Sequence, residues 1–284
     1  MSGGSGATPQ SGRSDTLPKV GLGTRLLLGD RCADVVVKAI EIGYRYVDTS
    51  PSYGNEDAAG RGIRLSGIDR REMFVTTKVE REDLRPERLL ESAQRSLDTL
   101  GLDWIDLLLI HWPNAEVPIS ETLSAMRELQ LSGSVSHIGV ANFPIAMLDE
   151  TVAASGRAGT KVFANQIEVH PSLPQRRLVA ACAARGVRPI AYSPMGREDL
   201  SHPLVLGIAE RTGRTPAQIA LRWHIQRGVF PVPIPDTGEP AQIAVQFELF
   251  DFELSQDDMA VLSNVGPERR YFSPAWAPVW DPQD

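Results

Sequence analysis

Apolar residues along this chain fall into two periods that take turns. Short runs of β-formers, K-V-G-L-G-T at 19–24, Tyr46 and Val47, F-V-T-T-K at 74–78 and W-I-D-L-L-L-I-H at 104–111, alternate with stretches whose apolar positions recur three and four residues apart. Ala33, Val36, Val37, Ile40 and Ile42 trace one such helical face and stop at Gly43, and residues 58–65 make a second that ends near Gly67. Pro86 stands where a helix start tolerates it, and Leu89, Ala93, Leu97 and Leu100 form a face that ends at Gly101. The same rhythm predicts helices over 123–131, 145–154 and 178–184, and strands over 138–141, 162–169 and 189–192. Thr215 and Pro216 open a further helix, and 229–234 supplies a last strand, irregular because Pro231, Pro233 and Pro235 cannot donate ladder bonds.

Strand and helix therefore alternate through eight cycles, which predicts an α/β fold, a closed (β/α)8 TIM barrel. S-Q-D-D-M at 255–259 starts an extra C-terminal helix, followed by a C-terminal loop. An open doubly wound sheet is the other arrangement, but the G-x-G-x-x-G that opens its first helix is absent. Three strands end on chemistry: Asp48, Lys78 and His111, with Tyr53 on the turn after the first. Barrel enzymes keep their reactive groups at the carboxyl ends of strands, so these endings converge on one site.

Composition narrows this picture. The chain has 284 residues, 42% hydrophobic and 23% charged, which suits one soluble barrel domain over 17–284 behind a flexible tail over 1–16. A net charge of −7 argues against nucleic-acid or anionic-membrane partners and for a small molecule. Cys32 and Cys182 sit among apolar neighbours and read as buried thiols in a reduced compartment. With no signal-like apolar core at the start and no membrane-length run, the expected location is cytoplasmic.

A free phenol has a pKa of about 10, so Tyr53 needs a neighbour to become a ready proton donor at neutral pH. Lys78 beside it is expected to depress that value, and Asp48 to steady the lysine. His111 can donate a hydrogen bond to a carbonyl oxygen turning into an alkoxide. The set suits protonating an oxygen while hydride from a nicotinamide reaches the carbon. Singly, each has a bland counterpart: a helix cap, a surface phenol, a solvated charge, a core histidine. Their joint placement at strand ends favours the site. His170 and His224 read as structural, and no H-x-H or H-E-x-x-H spacing suggests a metal.

From about Lys19 onward the chain resembles the aldo-keto reductases, through D-T-S-P-S-Y-G-N-E, F-V-T-T-K, D-L-L-L-I-H-W-P, I-G-V-A-N-F, N-Q-I-E-V-H-P, A-Y-S-P-M-G and F-D-F-E-L. It looks most like the bacterial branch that reduces 2,5-diketo-D-gluconate and methylglyoxal, whose S-P-x-x-A-P-x-W-D ending is echoed by residues 273–281. The resemblance implies Asp48, Tyr53, Lys78 and His111 as a catalytic tetrad with Tyr53 as general acid. It implies Asn142 and Gln166 on the nicotinamide carboxamide, Tyr192 stacked on its ring, and Ser193, Met195 and Gly196 in the loop over the pyrophosphate. Gly23, Thr24 and Asp48 complete the expected cofactor contacts. Ala141 stands where the family usually has serine, which removes one carboxamide hydrogen bond, worth about 0.5 to 1.5 kcal/mol.

Two departures matter more. Where most members carry Lys-Ser and an Arg for the 2′-phosphate, this chain has Asp236, Thr237 and Gln242, and no cation appears in either of two registers. NADH is therefore expected over NADPH. At the mouth, Arg25 and Glu80 replace the branch's aromatics while Trp112 keeps its place. These three, with Tyr53 and His111, are the expected substrate contacts, and a polar or charged carbonyl compound is the substrate they suggest. An Arg25–Glu80 rim pair is the competing reading. Tyr271, Phe272, Trp276 and Trp280 pack either over the mouth or on the barrel side. The leading expectation is a monomeric NAD(P)H-dependent aldehyde or ketone reductase. A nicotinamide-binding sensor or interaction subunit, and a non-redox enzyme on the same barrel, stand beside it.

Overall fold

The computed structural model describes residues 17–235 and 237–282. Its strands are β1 (Leu22–Gly23), β2 (Tyr46–Asp48), β3 (Phe74–Val79), β4 (Ile105–Ile110), β5 (Val135–Ala141), β6 (Val162–Glu168), β7 (Arg188–Tyr192) and β8 (Phe230–Val232). They lie in sequence order and every neighbouring pair is parallel. The ring is closed by two backbone bonds from the first strand to the last. Gly21 N–H donates to the Pro231 carbonyl at 3.0 Å and Gly23 N–H to that of Pro233 at 2.8 Å. The prolines that cannot donate thus serve as acceptors, and the fold is the eightfold barrel, not the open sheet.

Gly21 and Gly23 stand where the first strand meets the last. A Cβ on Gly21 would fall 2.7 Å from the Tyr46 ring, and one on Gly23 would fall 2.9 Å from Ile234. The barrel can close here only where side chains are missing.

The helices are α1 (Gly29–Ile42), α2 (Glu56–Leu65), α3 (Pro86–Leu100), α4 (Ile119–Leu131), α5 (Ile145–Arg157), α6 (Arg176–Ala184), α7 (Pro203–Thr212), α8 (Pro216–Gln226), α9 (Pro240–Val245) and α10 (Gln256–Leu262). Thr215 and Gln218 cap α8 reciprocally, and Ser255 with Asp258 does the same for α10. Helices α7 and α9 were not legible in the apolar spacing. Leu204 and Leu206 on α7 are exposed, so no clean stripe marks that helix, and α9 is a short turn behind Pro240.

Alternation along the strands carries the site. Tyr46, Phe74, Leu107, Leu109, Ala164, Ile190, Phe230 and Val232 form one core cluster of their own, apart from those that join strands to helices. Two residues further along the same strand faces, Tyr46 gives way to Asp48, Leu109 to His111 and Ala164 to Gln166, and four beyond Phe74 stands Lys78. The barrel interior is thus apolar at the amino ends of its strands and polar at their carboxyl ends. Cys32 and Cys182 are free, buried thiols. Among the described residues, no helix is long and apolar enough to cross a membrane, and no cluster of His, Cys, Asp and Glu could hold a metal ion.

Candidate active site

Lys78 is 1% exposed, at the end of β3. An ammonium has three protons to donate, and each finds an oxygen: Asp48 Oδ1 at 2.5 Å, the Thr49 carbonyl at 2.8 Å and the Tyr53 hydroxyl at 3.3 Å. Burial works against the charge, but Asp48 and Tyr53 outweigh it and hold the lysine above its ordinary pKa. Asp48 also accepts from Gln166 Nε2 at 2.6 Å, so amide, carboxylate, ammonium and phenol make one chain. Two of the four bland readings fail here: Asp48 is no helix cap and Lys78 no solvated charge.

Lys78 was expected to depress the Tyr53 phenol, yet its pKa lies above the ordinary value of 10. Burial raises it most; the Lys78 ammonium pulls it down, and the Asp48 charge behind the ammonium pushes it up again. At neutral pH the phenol therefore keeps its proton.

His111 follows β4 directly, and its ring lies edge-on to Tyr53 with centroids 6.1 Å apart. It is no core histidine with a backbone partner: its Nδ1 lies 2.8 Å from Glu80 Oε1, to which Ser50 Oγ also donates at 2.8 Å. Glu80 is thus placed on the histidine and does not line the cavity, contrary to its expected substrate contact. Nor does it pair with Arg25, whose guanidinium instead stacks 4.5 Å over the Phe272 ring. The aromatic tail lies over the mouth. Phe272 lines the cavity, and Trp276 and Trp280 pack edge-on against Trp112 at 5.1 and 6.0 Å.

Asn142, just past β5, and Ser193, just past β7, both hold left-handed backbone, with φ of 64° and 49°. Such φ values are uncommon outside glycine and cluster at binding sites. Asn142 Nδ2 donates to the His111 carbonyl at 3.0 Å, and its Oδ1 accepts from the Tyr192 hydroxyl at 2.8 Å. Gly23, Thr24, Arg25, Asp48, Tyr53, His111, Trp112, Asn142, Gln166, Tyr192 and Ser193 all line one cavity of about 270 Å³. Met195 and Gly196 lie outside it, in the turn beyond Ser193, where a Cβ on Gly196 would run into Asp199. Thr24 is buried, its hydroxyl donating to the Asp48 carbonyl at 2.9 Å.

Asp236 lies outside the described residues. Thr237 and Gln242 are bonded to each other, hydroxyl to amide oxygen at 2.8 Å. No cation stands in this loop itself, but one approaches from elsewhere: the Arg31 guanidinium of α1 reaches it, its Nε 3.3 Å from where a Gly238 Cβ would sit. Two further residues were missed as organisers. Asn55 ties the Tyr53 turn to the first loop, donating to the Thr24 and Leu27 carbonyls at 2.7 Å each and accepting from Thr49. Glu168 accepts the backbone N–H groups of Tyr271 and Phe272 at 2.7 and 3.0 Å and so fastens the tail. Its neighbour His170 is structural, as read: held between Glu168 and Asp199 at 3.2 and 3.1 Å.

The same architecture is found in known proteins. Morphine 6-dehydrogenase of Pseudomonas putida is 39% identical over 89% of this chain and 91% of its own. Glyoxal reductase of Bacillus subtilis is 38% identical, covering 89% and 91%. A crystal structure described as a putative 2,5-diketo-D-gluconic acid reductase B superposes with a TM-score of 0.89 at 33% identity, covering 96% of both chains. The sequence pattern of the Aldo/keto reductase family matches residues 20–266. With the barrel and its strand-end site, these place the chain in the aldo/keto reductase family, an oxidoreductase by its relatives.

Proposed function

We propose that this protein reduces an aldehyde or ketone to an alcohol with hydride from NAD(P)H, Tyr53 acting as general acid. The observation that carries the proposal is the Tyr53 hydroxyl, 3.3 Å from a buried ammonium and in a cavity that His111 also lines. A protonated phenol is what a general acid must be at rest. As charge develops on the carbonyl oxygen, Tyr53 releases its proton and the phenolate left behind is met by Lys78, itself steadied by Asp48. His111 shares the developing charge by hydrogen bonding.

The cavity fits a nicotinamide. Asn142 and Gln166 each retain hydrogen-bonding capacity beyond the bonds described, Gln166 an acceptor oxygen and Asn142 one amide proton, which complement a carboxamide. Tyr192 offers an aromatic face, and Ser193 begins the loop expected over the pyrophosphate, with Met195 and Gly196. When bound, the cofactor supplies the hydride. Arg25 at the mouth supports a polar or acidic carbonyl substrate, in keeping with the small dicarbonyl named for the Bacillus relative.

The test is consumption of reduced nicotinamide, followed by absorbance, against a panel of aldehydes, ketones and dicarbonyls. Carbonyl-dependent oxidation of the cofactor is expected. Tight cofactor binding with no turnover on any member of the panel would overturn the proposal.

A further inference from the structure

Among the described residues, Glu80 is the one charged side chain bonded to the His111 ring. The other charged or titratable groups around that ring are Tyr53 from the turn after β2, the Lys78–Asp48 pair behind it, Tyr192 at the end of β7, and Arg25, which is stacked on Phe272. Lys78 and Asp48 satisfy each other, and both tyrosines are neutral at rest. Glu80 therefore decides which nitrogen of His111 carries hydrogen. Burial alone would raise this carboxyl, but the hydrogen bond and charge attraction of His111, followed by hydrogen bonds from Ser50 and Ser52, bring it down to about 2. At any working pH it is a carboxylate, which only accepts.

From this follows an assignment that the reductase reading alone does not contain. A carboxylate oxygen 2.8 Å from Nδ1 requires hydrogen on Nδ1. A neutral imidazole has only one N–H, so Nε2, the nitrogen left for the cavity, then carries a lone pair and cannot donate. We propose that Glu80 is a positioning residue that fixes His111 in the Nδ1–H form, so that His111 donates to a carbonyl oxygen only as the imidazolium and, when neutral, accepts from an alcohol instead. Glu80 would then favour reduction at lower pH and alcohol oxidation at higher pH without itself touching the substrate.

The proposal rests on the reductase reading for its consequence but not for its test. In chain labelled with 15N-histidine, long-range 1H–15N spectra distinguish Nδ1–H, Nε2–H and doubly protonated rings. His111 is one of five histidines, assigned by its disappearance in His111→Gln. We expect Nδ1 to stay protonated across the pH range in the wild-type protein, and the Nε2–H form to appear in Glu80→Leu. A neutral Nε2–H ring in the wild type overturns the proposal outright.

The kinetic arm uses Glu80→Leu, in which a neutral ring is free to carry its hydrogen on Nε2 and donate it. The ratio of kcat/KM for reduction at alkaline pH to that at acid pH should be higher in this variant than in the wild type. An unchanged ratio contradicts the proposal. If no carbonyl is turned over by any form, the reductase reading fails, and the spectra still decide the tautomer.

Discussion

Three protons on one ammonium account for much of this site. Lys78 gives them to Asp48, Thr49 and Tyr53, and is buried at 1% exposure only because all three are accepted. Lys78→Met should leave the Asp48 carboxylate buried with Gln166 as its remaining side-chain partner, and cost about 3 to 5 kcal/mol in denaturant unfolding. Adding Asp48→Asn should restore part of that loss. A double variant no more stable than the single one would show that the charge pair is not what is being lost. Arg25 belongs to the same scale. Arg25→Ala should raise KM for acidic aldehydes while leaving neutral ones nearly unchanged; an equal effect on both would remove it from substrate recognition. Asp48 and Tyr53 were legible as partners of Lys78 from the strand endings and the turn after β2, whereas the Thr49 carbonyl was not. It misjudged the balance at Tyr53, because how deeply a phenol is buried depends on the strands, turns and tail around it and is written in no local run.

At the scale of elements, the site is held by loops that other elements brace. His224 on α8 is fully buried and its Nε2 donates to the Pro194 carbonyl at 2.7 Å, directly beneath the Ser193 turn. Burial pushes this imidazole down to about 3, the bond to Pro194 offsetting only part. The unfolded chain binds the proton at about 6.5, so the contribution is complete above that pH and is lost as pH falls from about 6.5 towards 3. Across that window wild-type unfolding free energy should drop relative to His224→Gln by on the order of 4 kcal/mol. Parallel stability–pH curves for the two proteins would contradict this. Strand ends, helix faces and the Thr215 cap were legible because each is a local signal of period or chemistry. Helix α7 was not, since its exposed leucines blur the stripe, and the tail's resting place was open until Glu168 and Trp112 were seen to receive it.

For the molecule as a whole, closure of the barrel brings together residues that sequence keeps far apart. Gly23 meets Pro233, Phe272 covers Arg25, and Arg31 of the first helix reaches the loop that precedes α9. The last of these bears on cofactor choice. No Lys or Arg occurs in residues 233–242, and on that ground we propose that NADH is preferred over NADPH. A comparison of kcat/KM with the two cofactors, in wild type and Arg31→Ala, decides the matter. NADH should win in both forms, whereas an NADPH preference lost in Arg31→Ala would transfer the 2′-phosphate to Arg31. The fold and the four strand-end residues were readable because alternation and strand termini repeat along the chain, but contacts such as that of Arg31 exist only once the ring is closed. The central claim concerns one proton. Single-turnover oxidation of bound reduced nicotinamide by an aldehyde, in wild type and Tyr53→Phe, tests it most directly. Tyr53→Phe should bind cofactor as the wild type does and transfer hydride about 10²- to 10⁴-fold more slowly. Hydride transfer at the wild-type rate without the Tyr53 hydroxyl would contradict the account.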